Sequence, residues 1–206
     1  MGGSVAATPQ PFAYPTMPHI RRHGPYGYSI YESYRAWLRD EFSFRCVFCL
    51  NREQWGLIRS VWDLDHFMPQ HSHPQISFDY ENLLYSCRTC NGMKGDQIIP
   101  DPCKIAYGEC VTVHPDGTIE ALNEKGEILI ETLRLNNEDY TRFRQLMIDT
   151  LRSLATHDRQ TYVLWMRYPE NLPDLSGLRP PGNKKPEGVK QSFYARRMRG
   201  ELEEIY

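Results

Sequence analysis

Apolar residues recur at helical spacing in two places along the chain. Ile30, Tyr34, Trp37, Leu38 and Phe42 follow Ser29, a residue able to cap a helix start, and predict a first amphipathic helix. A second is predicted to begin near Asn136–Glu138. It sets Tyr140, Phe143, Met147, Leu151 and Leu154 on one side, with Arg142, Arg144, Asp149 and Arg152 elsewhere. Alternation over 61–67 predicts a strand with Asp63 and Asp65 on one face and His66 on the other. Two β-like runs, Cys110–His114 and Thr118–Leu122, flank Asp116-Gly117 and predict a hairpin. No internal repeat is present. The expected organisation is an extended, proline-rich arm over 1–27, a folded domain over 28–166, and a Pro-rich linker with a basic tail over 167–206.

Composition narrows the class without deciding it. The 206 residues are 40% apolar and carry a net charge of −2, so a core can form and the whole chain is not polybasic. No run reaches the roughly 18 apolar residues of a membrane span. Met1–Thr16 has no charged start followed by an apolar stretch, so the expected location is cytoplasmic, with no membrane partner. Charge is uneven. Between Ser176 and Gly200, seven basic residues face Glu187 alone, which puts a +6 segment on a −8 body. Two readings stand: a solvated end, or an arm whose Lys184, Lys185, Arg196 and Arg197 contact nucleic-acid phosphates.

The cysteines carry sharper information. Cys46 and Cys49 are two residues apart, as are Cys87 and Cys90, and each such knuckle aims two thiolates at one tetrahedral ion. The spacing points to a structural Zn²⁺ with four sulfur ligands. A redox pair would need a thioredoxin-like context, and disulfides an oxidising compartment. Cys103 and Cys110 read as ordinary thiols.

Between and after the knuckles stand Asp65-His66 with Pro69 three residues on, then Asn82-Leu83, then Cys87-x-x-Cys90-Asn91-x-x-Lys94. An isolated Asp-His pair is commonly just a surface pair, but this ordered series resembles the HNH endonuclease family in its zinc-bound, ββα-metal form. The match runs over about Cys46–Asp96. It implies an α+β fold with a ββα-metal core, a four-cysteine zinc site, flanking helices and a small β-hairpin. It also implies roles. His66 would be the general base, Asp65 and Asn91 the ligands of a catalytic Mg²⁺ or Mn²⁺, and Asn82 the holder of the loop that orients His66. Lys94 would contact phosphate, its alternative being an ordinary helix-surface lysine, and Asp63 would stand behind the ligands. His71 and His73 read as surface residues. Asn91, where several members carry His, leaves an oxygen-rich site that suits a hard, hydrated cation. More loosely, Asp101-Pro102-Cys103, Asp116-Gly117 and Leu133–Asn136 resemble small HNH proteins that accompany ATPases in bacterial anti-phage systems.

The implied activity is metal-dependent hydrolysis of phosphodiesters, of DNA first, with an ATPase as a possible protein partner. Its rivals are a non-catalytic zinc module that binds nucleic acid or a protein, and an RNA-directed nuclease or toxin.

Overall fold

Alternation around Asp65 produces the hairpin on which the site is built. In a computed structural model, which describes residues 10–55 and 62–206, β2 (Trp62–His66) pairs antiparallel with β3 (Leu83–Cys87), setting Asp65 opposite Leu84 and His66 opposite Leu83. Met1–Pro9 of the arm and Val61 of the expected strand lie outside the described residues. Helix α2 (Arg88–Lys94) follows β3 without a loop, and Cys87 is its N-cap. Before the hairpin comes α1 (Arg35–Glu41), and after it β4 (Val111–Val113), β5 (Ile119–Ala121), α3 (Glu124–Thr132), α4 (Glu138–His157) and α5 (Arg159–Met166). A last helix, α6 (Phe193–Met198), lies in the tail. Strand β1 (Pro25–Tyr26) pairs with β6 (Gly182–Asn183), so the described sheets are three two-stranded ribbons among helices. The architecture is α+β.

The helices depart from the sequence pattern where capping chemistry decides. Ser29 caps nothing: the chain enters a 3-10 turn over Tyr31–Tyr34 with no side-chain cap, and Ile30 is exposed. Helix α4 starts as expected, because the Asn137 side chain accepts the Tyr140 N–H at 2.8 Å. Its Arg144, expected off the apolar face, is buried instead. Its guanidinium donates to the carbonyls of Gly117 and Leu135, both at 2.6 Å, and so fastens the β4–β5 turn to the helix. A buried guanidinium is tolerated here because acceptors that the turn would otherwise orphan receive its protons.

Arm and tail are held by two adjacent acids at the end of α1. The Glu41 carboxylate accepts from the backbone N–H groups of Arg22 (2.7 Å) and His23 (3.0 Å) and from the Tyr80 hydroxyl (2.9 Å), and it pairs with His19 Nε2 at 3.1 Å. Asp40 pairs with His23 Nε2 at 2.8 Å and takes the Phe193 N–H at 2.8 Å. Phe12 and Tyr14 of the arm join the main core, and Phe193 packs with Phe44, Tyr168 and Leu172 in a second one. Local sequence could not show this. The ordering entropy of a proline-rich segment is offset here by contacts far away in the chain.

Burial alone would raise the Glu41 carboxyl. The His19 hydrogen bond, the His23 charge and the Arg22 N–H outweigh burial and hold it at about 2, against 4.5 for a free glutamate. The folded value lies below the unfolded one, so the stabilisation is complete above about pH 4.5 and is lost as pH falls toward 2. Its size is roughly 3 kcal/mol. Urea titrations at pH 2 to 5 should therefore show a steep fall in stability that Glu41→Gln flattens, and equal pH slopes would refute this role. Phe193→Ala should cost about 3 kcal/mol in the same assay, whereas a tail that merely lies in solvent would cost nothing measurable.

Candidate metal centre and hairpin–helix site

Two loops bring four thiols to one point. After α1 the chain reverses through Cys46–Cys49, with the Leu50 N–H closing on the Cys46 carbonyl at 3.0 Å and Leu50 itself in the left-handed region (φ 59°). The Val47 N–H donates to the Tyr85 carbonyl at 3.0 Å, which docks this knuckle on β3. Cys87 and Cys90 arrive from the β3–α2 junction. The four Sγ atoms are buried and lie within 4.8 Å of one another, with Cys49 and Cys87 at 3.8 Å. Metal–sulfur bonds of about 2.3 Å on a tetrahedron require sulfurs about 3.8 Å apart, so the residues present fit a zinc ion. Burial pushes the Cys46 thiol up, while hydrogen bonds from its three neighbours push Cys87 down. A divalent cation would let all four ionise. Among the described residues no other group of three or more His, Cys, Asp or Glu side chains converges in this way. Cys110 is a buried thiol bonded to the Ala106 carbonyl, and Cys103 is half-buried.

The hairpin's other end carries the Asp-His pair. Asp63 and Asp65 share a face of β2, two residues apart, and α2 packs across that face. Asn91 and Lys94, one helical turn apart, meet them in order. Asn91 Nδ2 donates to Asp63 Oδ2 at 3.2 Å, and Lys94 Nζ donates to Asp65 Oδ1 at 3.0 Å and to the His66 carbonyl at 2.8 Å. The structure thus sets Asn91 against Asp63, with Asp65 one rung further along. Lys94 is neither a surface lysine nor placed to touch a substrate phosphate. It is fully buried (0% exposed), because its ammonium supplies the charge that a buried Asp65 (3% exposed) requires. Burial raises the Asp65 carboxyl to about 6, although Lys94 pulls it down. Its Oδ2 is buried with no hydrogen-bond partner. That orphaned oxygen is a hard donor of the kind a cation ligand offers, while Asn91 is held against Asp63.

His66 projects from the opposite face. Its Nε2 lies 3.0 Å from the Ser77 carbonyl. A carbonyl only accepts, so Nε2 carries the proton and Nδ1 is the basic nitrogen. Burial and the Lys94 charge outweigh the Ser77 bond, which acts the other way, and hold the ring below its usual pKa, so the neutral form is favoured at neutral pH. Asn82 holds the loop that delivers Ser77. Its Oδ1 accepts the Met68 N–H at 2.8 Å, and its Nδ2 donates to the Met68 and Ile76 carbonyls. The Tyr31 ring stands edge-on to His66, with centroids 4.9 Å apart. Neither Ser77 nor Tyr31 could be picked from the sequence, since one acts through its backbone and the other sits 35 residues away. His71 and His73 lie in the connecting loop, where His73 Nδ1 meets the Ser72 hydroxyl at 2.9 Å.

The tail cations divide. Lys185 Nζ donates to the Arg21 carbonyl, Arg197 to the carbonyls of Pro169 and Glu170, and Arg196 to that of Glu201. Lys185 thus ties the tail to the arm and Arg197 ties it to the segment after α5, whereas the Arg196 bond closes within the tail itself. Lys184 is exposed, with its Nζ 5.8 Å from the Tyr26 ring centroid.

No protein-family model matches the chain. It is 28% identical over 116 residues to the Septu protein PtuB of Bacillus thuringiensis. The match covers 52% of this chain and 42% of that protein, so the chain aligns with less than half the length of its curated relative. Among the described residues no helix is long and apolar enough to cross a membrane.

The thiol cluster leads to a direct measurement. Native mass spectrometry should find one zinc per chain, and Cys87→Ser or Cys49→Ser should lose both the zinc and the cooperative unfolding transition. Chelator-washed protein that stays folded with no zinc would overturn the assignment.

Proposed function

We propose that this chain is an HNH-type endonuclease with a ββα-metal core, hydrolysing nucleic-acid phosphodiesters, DNA foremost, as the effector of an anti-phage defence system. The observation that carries the reading is the fixed tautomer of His66: a proton on Nε2 toward Ser77 leaves Nδ1 as the base, next in sequence to an acid whose Oδ2 is buried and bare. The ordered Asp65-His66, Asn82 and Asn91-x-x-Lys94 series supports it. So do the resemblance to HNH proteins that accompany ATPases and the similarity to the Septu protein PtuB. An ATPase partner and a cytoplasmic location belong to the same reading.

Each group then has a task. Asp65 Oδ2 and the Asn91 amide oxygen would hold a Mg²⁺ or Mn²⁺, which when bound neutralises charge on the phosphate and the leaving oxygen. His66 Nδ1 takes the proton from the attacking water, and the Ser77 carbonyl stabilises the resulting imidazolium through the Nε2 proton. Asn82 keeps that carbonyl in place. Lys94 fixes the Asp65 carboxylate by one oxygen and the His66 backbone by its carbonyl, so base and ligand keep one relative position.

One observation favours a second reading. Lys94 already neutralises Asp65, as a purely structural ion pair would, and this suits a zinc module that binds nucleic acid or a protein without cleaving.

The two readings separate in a cleavage assay with Mg²⁺ or Mn²⁺. His66→Ala should lower the rate at least about 10²-fold with zinc content and thermal stability unchanged. Asp65→Ala and Asn91→Ala should lose activity that excess metal does not restore. Cleavage that is equal in wild type and His66→Ala, or that persists in excess EDTA, would rule out the nuclease reading.

A further inference from the structure

The rim beside His66 is aromatic where a duplex-binding surface would be cationic. Phe78 follows Ser77, the residue that holds His66, and is 48% exposed; its own carbonyl is pinned by the Tyr34 hydroxyl at 3.2 Å. Tyr31 stands against His66, and Tyr28 stands edge-on to Tyr34 at 4.9 Å. Two residues before Tyr28, Tyr26 is 49% exposed, and Ile30 between them and Tyr31 is 62% exposed. These rings are held, not loose. The Tyr26 ring lies on Gly182, where an added Cβ would come within 2.2 Å of its Cζ, and the β1–β6 pairing fixes that approach. The same pairing delivers Lys184 to the Tyr26 ring. Of the carboxylates nearby, Glu32 pairs with Arg35 at 2.8 Å and Glu81 with Arg21 at 3.8 Å, and Asp79 accepts the Glu81 N–H; Lys184 has no ion pair among the described residues.

We propose that this rim takes an unpaired nucleic-acid strand, its bases stacking on Phe78 and Tyr26 while Lys184 meets the adjoining phosphate. The proposal rests on the reading of His66 as the base of a nuclease and names the substrate class of that site. Every base has a π-face, and exposed rings interleaved with a cation form a sequence-tolerant platform for single strands. In a duplex those faces are stacked on one another and out of reach. A duplex would instead need cations along both backbones, and Lys185 and Arg197 already donate to backbone carbonyls of the protein itself. DNA and RNA strands share the chemistry used here, so the experiment carries both.

The test measures binding apart from cleavage. Fluorescence anisotropy on the His66→Ala protein, without added divalent cation, compares oligothymidylate, oligouridylate and a mixed-sequence DNA duplex of equal length. A single strand should bind at least about tenfold tighter than the duplex, and the tighter of the two strands identifies the sugar. Phe78→Ala should weaken strand binding roughly 5- to 150-fold, the equivalent of one lost stacked base, and Phe78→Trp should restore it. Tyr26→Ala against Tyr26→Phe repeats the comparison on a second ring, with zinc content as the folding control. Equal or tighter duplex binding, no strand binding, or an unchanged affinity in both alanine variants would overturn the proposal. A parallel cleavage assay separates the two ideas. Strand binding with His66-independent cleavage removes the nuclease reading alone, whereas His66-dependent cleavage with duplex preference removes the strand proposal alone.

Discussion

Closure of four thiols at the junction of two loops is the constraint on which this fold turns. A two-stranded hairpin with five-residue strands and a seven-residue helix cannot support itself in water. Cys87 and Cys90 fall at the point where β3 becomes α2, so whatever holds them also sets the angle at which the helix crosses the hairpin. Cys46 and Cys49 supply the other half of the cluster from the end of α1, and the Val47–Tyr85 bond aligns that knuckle with β3. With the crossing angle set, Asn91 and Lys94 must face Asp63 and Asp65. The thiols touch none of the candidate reacting groups, yet they place all of them.

A second constraint acts at the end of α1. Asp40 and Glu41 are adjacent, buried and fully used as acceptors, and between them they collect the arm, Tyr80 before β3, and the start of α6. The His19 bond, the His23 charge and the Arg22 N–H together hold the Glu41 carboxyl well below its usual pKa despite its burial. This hub has a consequence at the far side of the molecule. By fixing residues 19–23 and the chain ahead of α6, it lets β1 and β6 meet, and the strand pairing then brings Lys184 to the Tyr26 ring. Composition divides arm, body and tail, but hydrogen bonding joins them.

Charge at the site is balanced internally. Asp65 is almost wholly buried, and a carboxylate there needs a positive neighbour or a proton. Lys94 supplies the neighbour and, by occupying only Oδ1, leaves Oδ2 as the open acceptor. His66, held by a carbonyl and half-buried, favours its neutral form. Asp65 and His66, adjacent on one strand, thus set a carboxyl held through one oxygen beside an imidazole that favours its neutral form.

Much of this was legible in the residues alone. The cysteine spacing implied one four-thiol site, alternation around Asp65 implied a strand, Asp116-Gly117 implied a hairpin, and Asn136–Glu138 implied the start of the longest helix. Each of these follows from a period or a fixed offset, which a linear sequence records directly. The partners of the polar groups were not legible. Lys94 reads as a surface or phosphate-contacting lysine until α2 is laid across β2, and Arg144 reads as an exposed arginine until the β4–β5 turn presents its carbonyls. Ser77 acts through a backbone atom that every residue possesses, so no side-chain pattern could single it out. The proline-rich arm and tail have no period at all, and their places were decided by Asp40 and Glu41. Local order is encoded by repeating geometry along the chain, but the pairing of buried charges depends on which distant segments come within 3 Å, and only the tertiary structure settles that.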